Sequence, residues 1–231
     1  MMQYLQVHLQ PEISYTVSPC ARFMHCPQRS HEVALEQIGL CLKGTGKEGL
    51  IWCPCKNTKM QVDVFVDADF AGLWPHEDKP DPTCIKSQTG FVMCITNCPV
   101  IWQSKLQSEI ATLTTKTEYM VLSMAMRSVI PFFNVARAIK AHLGLDNSQS
   151  TFKVNVWEDN SACHTLANLK PGQTSPRTKH CAIKLHWFHS YLELNNIKIE
   201  KMSMDLQQAD IFTKGLQNSK FPKIRKLLCG W

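Results

Sequence analysis

Four short stretches each supply a carboxylate: Phe65-Val66-Asp67-Ala68-Asp69, Thr117-Glu118-Tyr119, Glu158-Asp159-Asn160 and Gln208-Ala209-Asp210-Ile211. Carboxylates are hard oxygen ligands, the kind Mg2+ takes in small number beside its own waters. If the fold gathers Asp67, Glu118, Asp159 and Asp210, they form an acidic cup able to hold two Mg2+ (or Mn2+) ions and cut a nucleic-acid strand. Two ions about 3.5–4 Å apart would activate the attacking water and stabilise the leaving oxygen. Four carboxylates without metal repel one another, so such a cluster is implausible as structure alone. Each residue also has a plainer role open to it. Thr115-x-x-Glu118 has the spacing of a capping box. Asp159 or Asn160 could N-cap a helix starting at Ser161. Asp210 could be a solvated helix residue, and Asp69 competes with Asp67 for the place on the first strand.

The elements that would carry these groups follow from apolar spacing. Val62, Val64 and Val66 alternate with Asp63, Phe65 and Asp67, the two-residue period of a strand, with Asp67 on the face opposite the valines. A loop rich in Pro, Asp and Lys over 75–87 leads to strands over 90–96 and 100–103, with a turn at Asn97-Cys98-Pro99. A helix is expected from about Thr115, ending or kinking near Pro131 and resuming to His142, with Gly144 as a stop. Then come a strand over 152–157, a helix over 161–169, an amphipathic segment over 180–195, a strand over 197–202 and a final helix over 206–214. Upstream, residues 31–42 read as one helix with Ser30 as N-cap, while Pro11, Pro19 and Pro27 break what precedes it. Three strands, then helices and strands in alternation, describe an α/β domain.

At 231 residues the chain has room for one generous domain, or a core with a smaller appendage. Its 44% hydrophobic and 19% charged residues are those of a globular protein rather than a disordered one. The net charge of +6 suits a polyanionic partner but is only weakly specific. No uncharged apolar run approaches the roughly 20 residues a bilayer requires, and Met1-Met2-Gln3-Tyr4-Leu5-Gln6 is unlike a signal peptide. The expectation is an intracellular chain with no membrane partner. Eleven cysteines are present, but Cys53-Pro54-Cys55 and Cys94-x3-Cys98 lack the paired spacing of a zinc site. His180, His186 and His189 could place two imidazoles on one helical face, yet no second ligand pair accompanies them. Reduced, structural cysteines are the expectation.

Beyond these acids, Val66-Asp67-Ala68-Asp69-Phe70-Ala71-Gly72, Lys86-Ser87-Gln88-Thr89-Gly90-Phe91-Val92, Ile101-Trp102-Gln103-Ser104-Lys105, Arg177-Thr178-Lys179-His180 and Gln208-Ala209-Asp210-Ile211-Phe212-Thr213-Lys214 stand in a set order. Together with Thr117-Glu118-Tyr119 and Glu158-Asp159-Asn160 they resemble the ribonuclease H domain of copia-type retrotransposon polyproteins. Pro11-Glu12-Ile13-Ser14-Tyr15, Ala21-Arg22-Phe23 and Leu42-Lys43-Gly44-Thr45 resemble the end of the reverse transcriptase region that precedes it. The resemblance implies a ribonuclease H-like fold, a mixed five-stranded sheet with helices on both faces. It divides the chain into a reverse transcriptase or connection tail (1–58), a ribonuclease H-like domain (60–217) and a basic C-terminal helix or tail (218–231).

The same resemblance implies hydrolysis of the RNA strand of an RNA–DNA hybrid with two metals. Asp67 would be shared by both ions, Glu118 and Asp159 would flank it on one, and Asp210 would serve the other. Lys86, Lys105, Arg177, Lys179 and Lys214 would contact phosphates, while Trp102 could stack on a sugar or be core. Partners would be the hybrid and an upstream reverse transcriptase domain of the same polyprotein, in a cytoplasmic virus-like particle or in the nucleus. Two departures stand out. Lys116 and Thr117 occupy positions where the family usually has glutamate and alanine, and no histidine lies between Met202 and Lys214. The rival reading is a remnant that folds, is catalytically silent and at most binds nucleic acid.

Overall fold

The valine alternation marks the centre of the fold. Strand β1 (Gln61–Asp69) sends Val62, Val64 and Val66 to one core and Phe65 to another, and every residue between its ends is buried. The computed structural model describes residues 1–53, 61–72, 83–144, 153–169, 187–192 and 195–231. β1 pairs antiparallel with β2 (Gln88–Ile95), which pairs antiparallel with β3 (Cys98–Leu106). On its other side β1 pairs parallel with β4 (Lys153–Glu158), and β4 pairs parallel with β5 (Ile197–Lys201). The order β3-β2-β1-β4-β5 makes a mixed five-stranded sheet, as expected. The β2–β3 turn lies one residue earlier than expected. Thr96 and Asn97 take positive φ (50° and 67°), as a two-residue hairpin loop requires. Pro99 is accommodated on an edge strand beside a break in register at Met93/Cys94.

Helices cover both faces. On the valine face lie helix α4 (Thr114–His142), helix α5 (Ser161–Ala167) and the helical residues 187–192, burying Tyr119, Leu122, Met126, Phe133 and Phe188. On the Phe65 face, Ile211, Phe212, Ile224 and Leu228 pack against Val92 and Cys94. α4 does not stop at Pro131 but runs through it for 29 residues. Pro131 lies on the exposed side while its neighbours Val129, Ile130 and Phe133 are buried, so packing holds the helix together across the lost hydrogen bond. This helix also amends the expectation about apolar runs. It is long and apolar enough by composition to cross a membrane, yet 56% of its most apolar stretch is buried inside the fold.

The expected helix over 206–214 is instead two short 3-10 helices, Met204–Leu206 and Gln208–Phe212. Gln207 explains the change. Its buried side chain accepts from the Ala209 amide at 3.3 Å and donates to the Val66 carbonyl at 2.9 Å. That bond pins the segment to the central strand and ends any continuous α-helical path. The C-terminal helix Phe221–Cys229, capped by Gly230 at φ 90°, then closes the Phe65 face. The basic run expected here as a helix of unknown partner thus has the sheet beneath it.

Upstream there are three helices rather than one: α1 (Met2–His8), α2 (Ser14–Arg22) and α3 (Arg29–Gly44). Pro11 opens a 3-10 turn and Pro19 sits inside α2, so neither breaks the layer as expected. α3 starts ahead of Ser30, where the Gln28 amide donates to His31 Nδ1 at 3.0 Å. Ile13, Val17 and Ile38 form a small core for these helices. Hydrogen bonds join this upstream region to the sheet and to the C-terminal helix: Trp102 Nε1 donates to the Gln6 carbonyl of α1 at 2.6 Å, and the amide of Ile51, in the segment after α3, to the Cys229 carbonyl at 3.0 Å. The boundary expected near residues 58–60 lies outside the described residues.

Candidate metal centre

Parallel pairing of β1 and β4 brings their C-terminal ends to the same edge of the sheet, the usual place for a site in such folds. Asp67 lies near the end of β1 and Asp159 just beyond β4, while Glu118 comes from the start of α4. One carboxylate oxygen from each of the three lies within 4.8 Å of the others. Asp67 is 3% exposed, Glu118 7%, and Asp159 is half-buried.

The plainer roles for these acids are decided locally. α4 begins with no side-chain cap at Leu113, and Glu118 Oε2 is buried with no hydrogen-bond partner. Glu118 therefore does not serve as the acid of a capping box. At α5, Asn160 Oδ1 accepts from the Ala162 and Cys163 amides, both at 3.0 Å, which releases Asp159 from capping. A fifth acid, Glu158, was not foreseen. It is fully buried, and its Oε1 accepts from the Asn160 amide at 3.0 Å.

Electrostatics follow from this crowding. Burial raises the pKa of Asp67 to about 7; Asp210 and Asp159 add to the rise, while Lys214 and the Thr213 hydroxyl oppose it. Burial raises Glu118 further, helped by Glu158, Asp67 and Asp159. Glu158 is lifted to about 8, chiefly by burial. Asp159 is raised by burial and then by Asp210, and Asp69 by burial despite Lys214. Carboxylates this close and this dry are short of positive charge, which Lys214 only partly supplies. The donor set is all hard oxygen, with one buried oxygen unpartnered, and it fits a divalent ion such as Mg2+.

Asp210, the fourth acid, lies beside this three-residue group rather than within it. It is 1% exposed, Lys214 Nζ lies 2.7 Å from its Oδ1, and Lys220 Nζ contacts its Oδ2. Lys214 Nζ is also 3.6 Å from Asp67 Oδ2, so one ammonium bridges the two acids. Burial works against the Lys214 charge, yet Asp67, Asp210 and Asp159 together push its pKa above the ordinary lysine range. The Thr213 hydroxyl contacts Asp67 Oδ2 as well. Gly90 permits this approach, because a Cβ there would lie 2.6 Å from Thr213 Cγ2 and 2.9 Å from the Ala209 carbonyl.

Of the expected phosphate contacts, Lys105 is exposed on β3 and Lys86 is half-buried in the bend before β2. Lys214 is engaged with the acids, while Arg177 and Lys179 lie outside the described residues. Trp102 donates to Gln6 and is half-buried against the Phe65-face core. Lys116 is half-buried on the first turn of α4. Among the described residues the acids form the one group with metal-ligand geometry. No Cys/His set does, and His180 and His186 are outside those residues.

No family model matches the chain. The Retrovirus-related Pol polyprotein from transposon TNT 1-94 of Nicotiana tabacum is 27% identical over 228 residues, 98% of this chain and 16% of the polyprotein. The Retrovirus-related Pol polyprotein from transposon RE1 of Arabidopsis thaliana is 30% identical over 221 residues, 95% of this chain and 14% of the polyprotein. The chain thus spans only a small part of the length of these relatives. The N-terminal RNase H domain of rv2228c from Mycobacterium tuberculosis, solved as a fusion with maltose binding protein, aligns at 11% identity with a TM-score of 0.44. That alignment covers 72% of this chain and 97% of that one.

Proposed function

The chain is homologous to part of the copia-type retrotransposon Pol polyproteins and carries their ribonuclease H-like domain, and from that premise we propose that it hydrolyses the RNA strand of RNA–DNA hybrids with Mg2+ (or Mn2+). The observation that carries this reading is the meeting of Asp67, Glu118 and Asp159 oxygens within 4.8 Å, around a buried oxygen with no partner. A divalent ion held there would polarise the scissile phosphate and acidify a bound water. The chain's own groups supply the rest. Thr213 and Lys214 hold Oδ2 of Asp67 and so fix the rotation of that carboxylate. Burial of Glu118 in the first turns of α4 keeps water from its side of the cup. Lys105 and Lys86 stand as phosphate contacts, so binding is salt-sensitive and nearly indifferent to sequence. An upstream reverse transcriptase domain as partner, and a cytoplasmic particle or the nucleus as location, belong to the same proposal.

The test is cleavage of a labelled RNA–DNA hybrid with Mg2+, beside an Asp67→Asn variant. The parent is expected to shorten the RNA strand and the variant to leave it whole. The competing reading is a silent remnant, favoured by the two lysines on Asp210. It predicts that both proteins retain the hybrid uncut.

A further inference from the structure

We propose that Gln207 is a positioning residue for the metal centre, one that sets where the Asp67 and Asp210 carboxylates stand by clamping the backbone beside each of them. This deepens the metal reading above and rests on it. The Gln207 side chain is fully buried, and both of its polar ends are taken up. Its Nε2 donates at 2.9 Å to the Val66 carbonyl, in the peptide group that joins Val66 to Asp67. Its Oε1 accepts at 3.3 Å from the amide of Ala209, the residue before Asp210. One planar amide therefore ties the backbone of the central strand to that of the 3-10 segment.

The place of this clamp gives it its role. Val66 lies one residue past the last β1–β4 pair, Phe65 with Trp157. The two strands thus stop pairing just short of Asp67 and Asp159, and their ladder no longer fixes the ends that carry the acids. Gln207 supplies a donor there to a carbonyl of a fully buried residue. A binding constellation must be held to within about 0.5 Å, and groups outside the ligand set that hold it are worth about 10–100-fold in metal affinity. Other contacts keep the segment seated when Gln207 is changed. Ser104 Oγ donates to the Phe212 carbonyl at 2.6 Å and accepts from Gln88 Nε2 at 2.8 Å, and the Thr213 hydroxyl contacts Asp67. Loss of the clamp should therefore loosen the spacing of the acids rather than unfold the chain.

The test is the Mn2+ affinity of the full chain, read by electron paramagnetic resonance with a 2′-O-methyl-RNA–DNA duplex that resists cleavage. Beside it, kcat and KM are measured on a cleavable hybrid at fixed Mn2+. Gln207→Met keeps the side-chain length and loses both hydrogen bonds. It is expected to weaken Mn2+ binding about 10–100-fold, and to lower kcat far more than it raises KM. Asp63→Ala disturbs the same strand through hydrogen bonds away from the acids, and is expected to lose stability while keeping the parent's Mn2+ affinity. A folded Gln207→Met protein with the parent's affinity would overturn the proposal and leave the metal reading intact. So would an Asp63→Ala protein whose affinity falls as far, since any loss of stability would then suffice. Should Gln207→Met fail to fold, Gln207→Asn takes its place under the same outcomes, being one methylene too short to reach both partners. No Mn2+ on the unmodified chain sinks the metal reading and this proposal with it.

Discussion

Asp63 and Asp67 lie four residues apart on the same face of β1, and both are buried, at 6% and 3% exposure. Their surroundings could hardly differ more. Asp63 accepts from Gln61 Nε2 at 2.9 Å, Trp157 Nε1 at 2.8 Å and Asn155 Nδ2 at 3.3 Å, neutral donors on β1 and its parallel neighbour β4. Asp67 faces Glu118, Asp159 and Asp210, with only Thr213 and Lys214 to offset them. Burial of an acid is therefore no sign of function in this sheet. What separates the two is whether the neighbours donate hydrogen bonds or add negative charge.

The contrast is broken most sharply by exchanging each aspartate. Asp67→Asn should lower hybrid cleavage by at least about 10²–10³-fold, the scale of losing one preorganised electrostatic group, while leaving the metal-free protein no less stable. Cleavage rate and thermal melting, measured together, would show this. Asp63→Ala should behave in the opposite way. It strands the Gln61, Asn155 and Trp157 donors, so denaturant unfolding should show a loss of about 3 kcal/mol with cleavage per folded molecule retained. Should Asp63→Ala instead abolish cleavage in a folded protein, the division of roles fails.

Gly90→Ala tests how the Asp67 side is held. The added methyl meets Thr213, Phe212 and the Ala209 carbonyl at 2.6–2.9 Å, and the backbone oxygen cannot swing away. A cost of about 2 kcal/mol is expected, with Mn2+ affinity weakened because the Thr213 and Lys214 contacts to Asp67 shift.

The remaining test is of pH dependence. Asp67 has a folded pKa near 7, above the ordinary aspartate value, so between those limits the folded state binds more protons than the unfolded one. Without metal, stability should fall as pH rises from about 4 to 7, by on the order of 1 kcal/mol per pH unit for each proton held. Urea titrations across that range should show the slope, Asp67→Asn should flatten it, and Mg2+ should oppose it. A stability that rises through the window would contradict the account of a charge-poor acidic cup.

Local pattern carried part of this arrangement and missed part. The alternation at Val62, Val64 and Val66 placed β1 and put Asp67 on the opposite face. The short helix expected over 161–169 forms as Ser161–Ala167, and of the two caps the sequence offered it is Asn160 that serves, leaving Asp159 at a strand end. Asp210 and Lys214 at four-residue spacing already had the separation of a helical ion pair, a signal that could have warned that Asp210 was engaged. Nothing local could reveal Lys220 on its other oxygen. Nor could local pattern show that Gln207 reaches the Val66 carbonyl, so a helical period was read where a 3-10 segment forms. Whether Glu118 capped α4 depended on where the helix began, and element boundaries are set by packing as much as by propensity.

The helix Phe221–Cys229 and the 3-10 segment before it cover the face of the sheet that bears Asp67, and they are the last described elements to be synthesised. A nascent chain can pair β1 with β2 and seat α4 on the valine face well before Phe212, Ile224 and Leu228 emerge. Until they do, Phe65 and Val92 have no cover, and the acids have neither Lys214 nor Lys220 beside them. Order of synthesis thus gives the molecule a half-finished stage, apolar on one side and acidic at one edge, that lasts until Phe212 and the helix Phe221–Cys229 have been made.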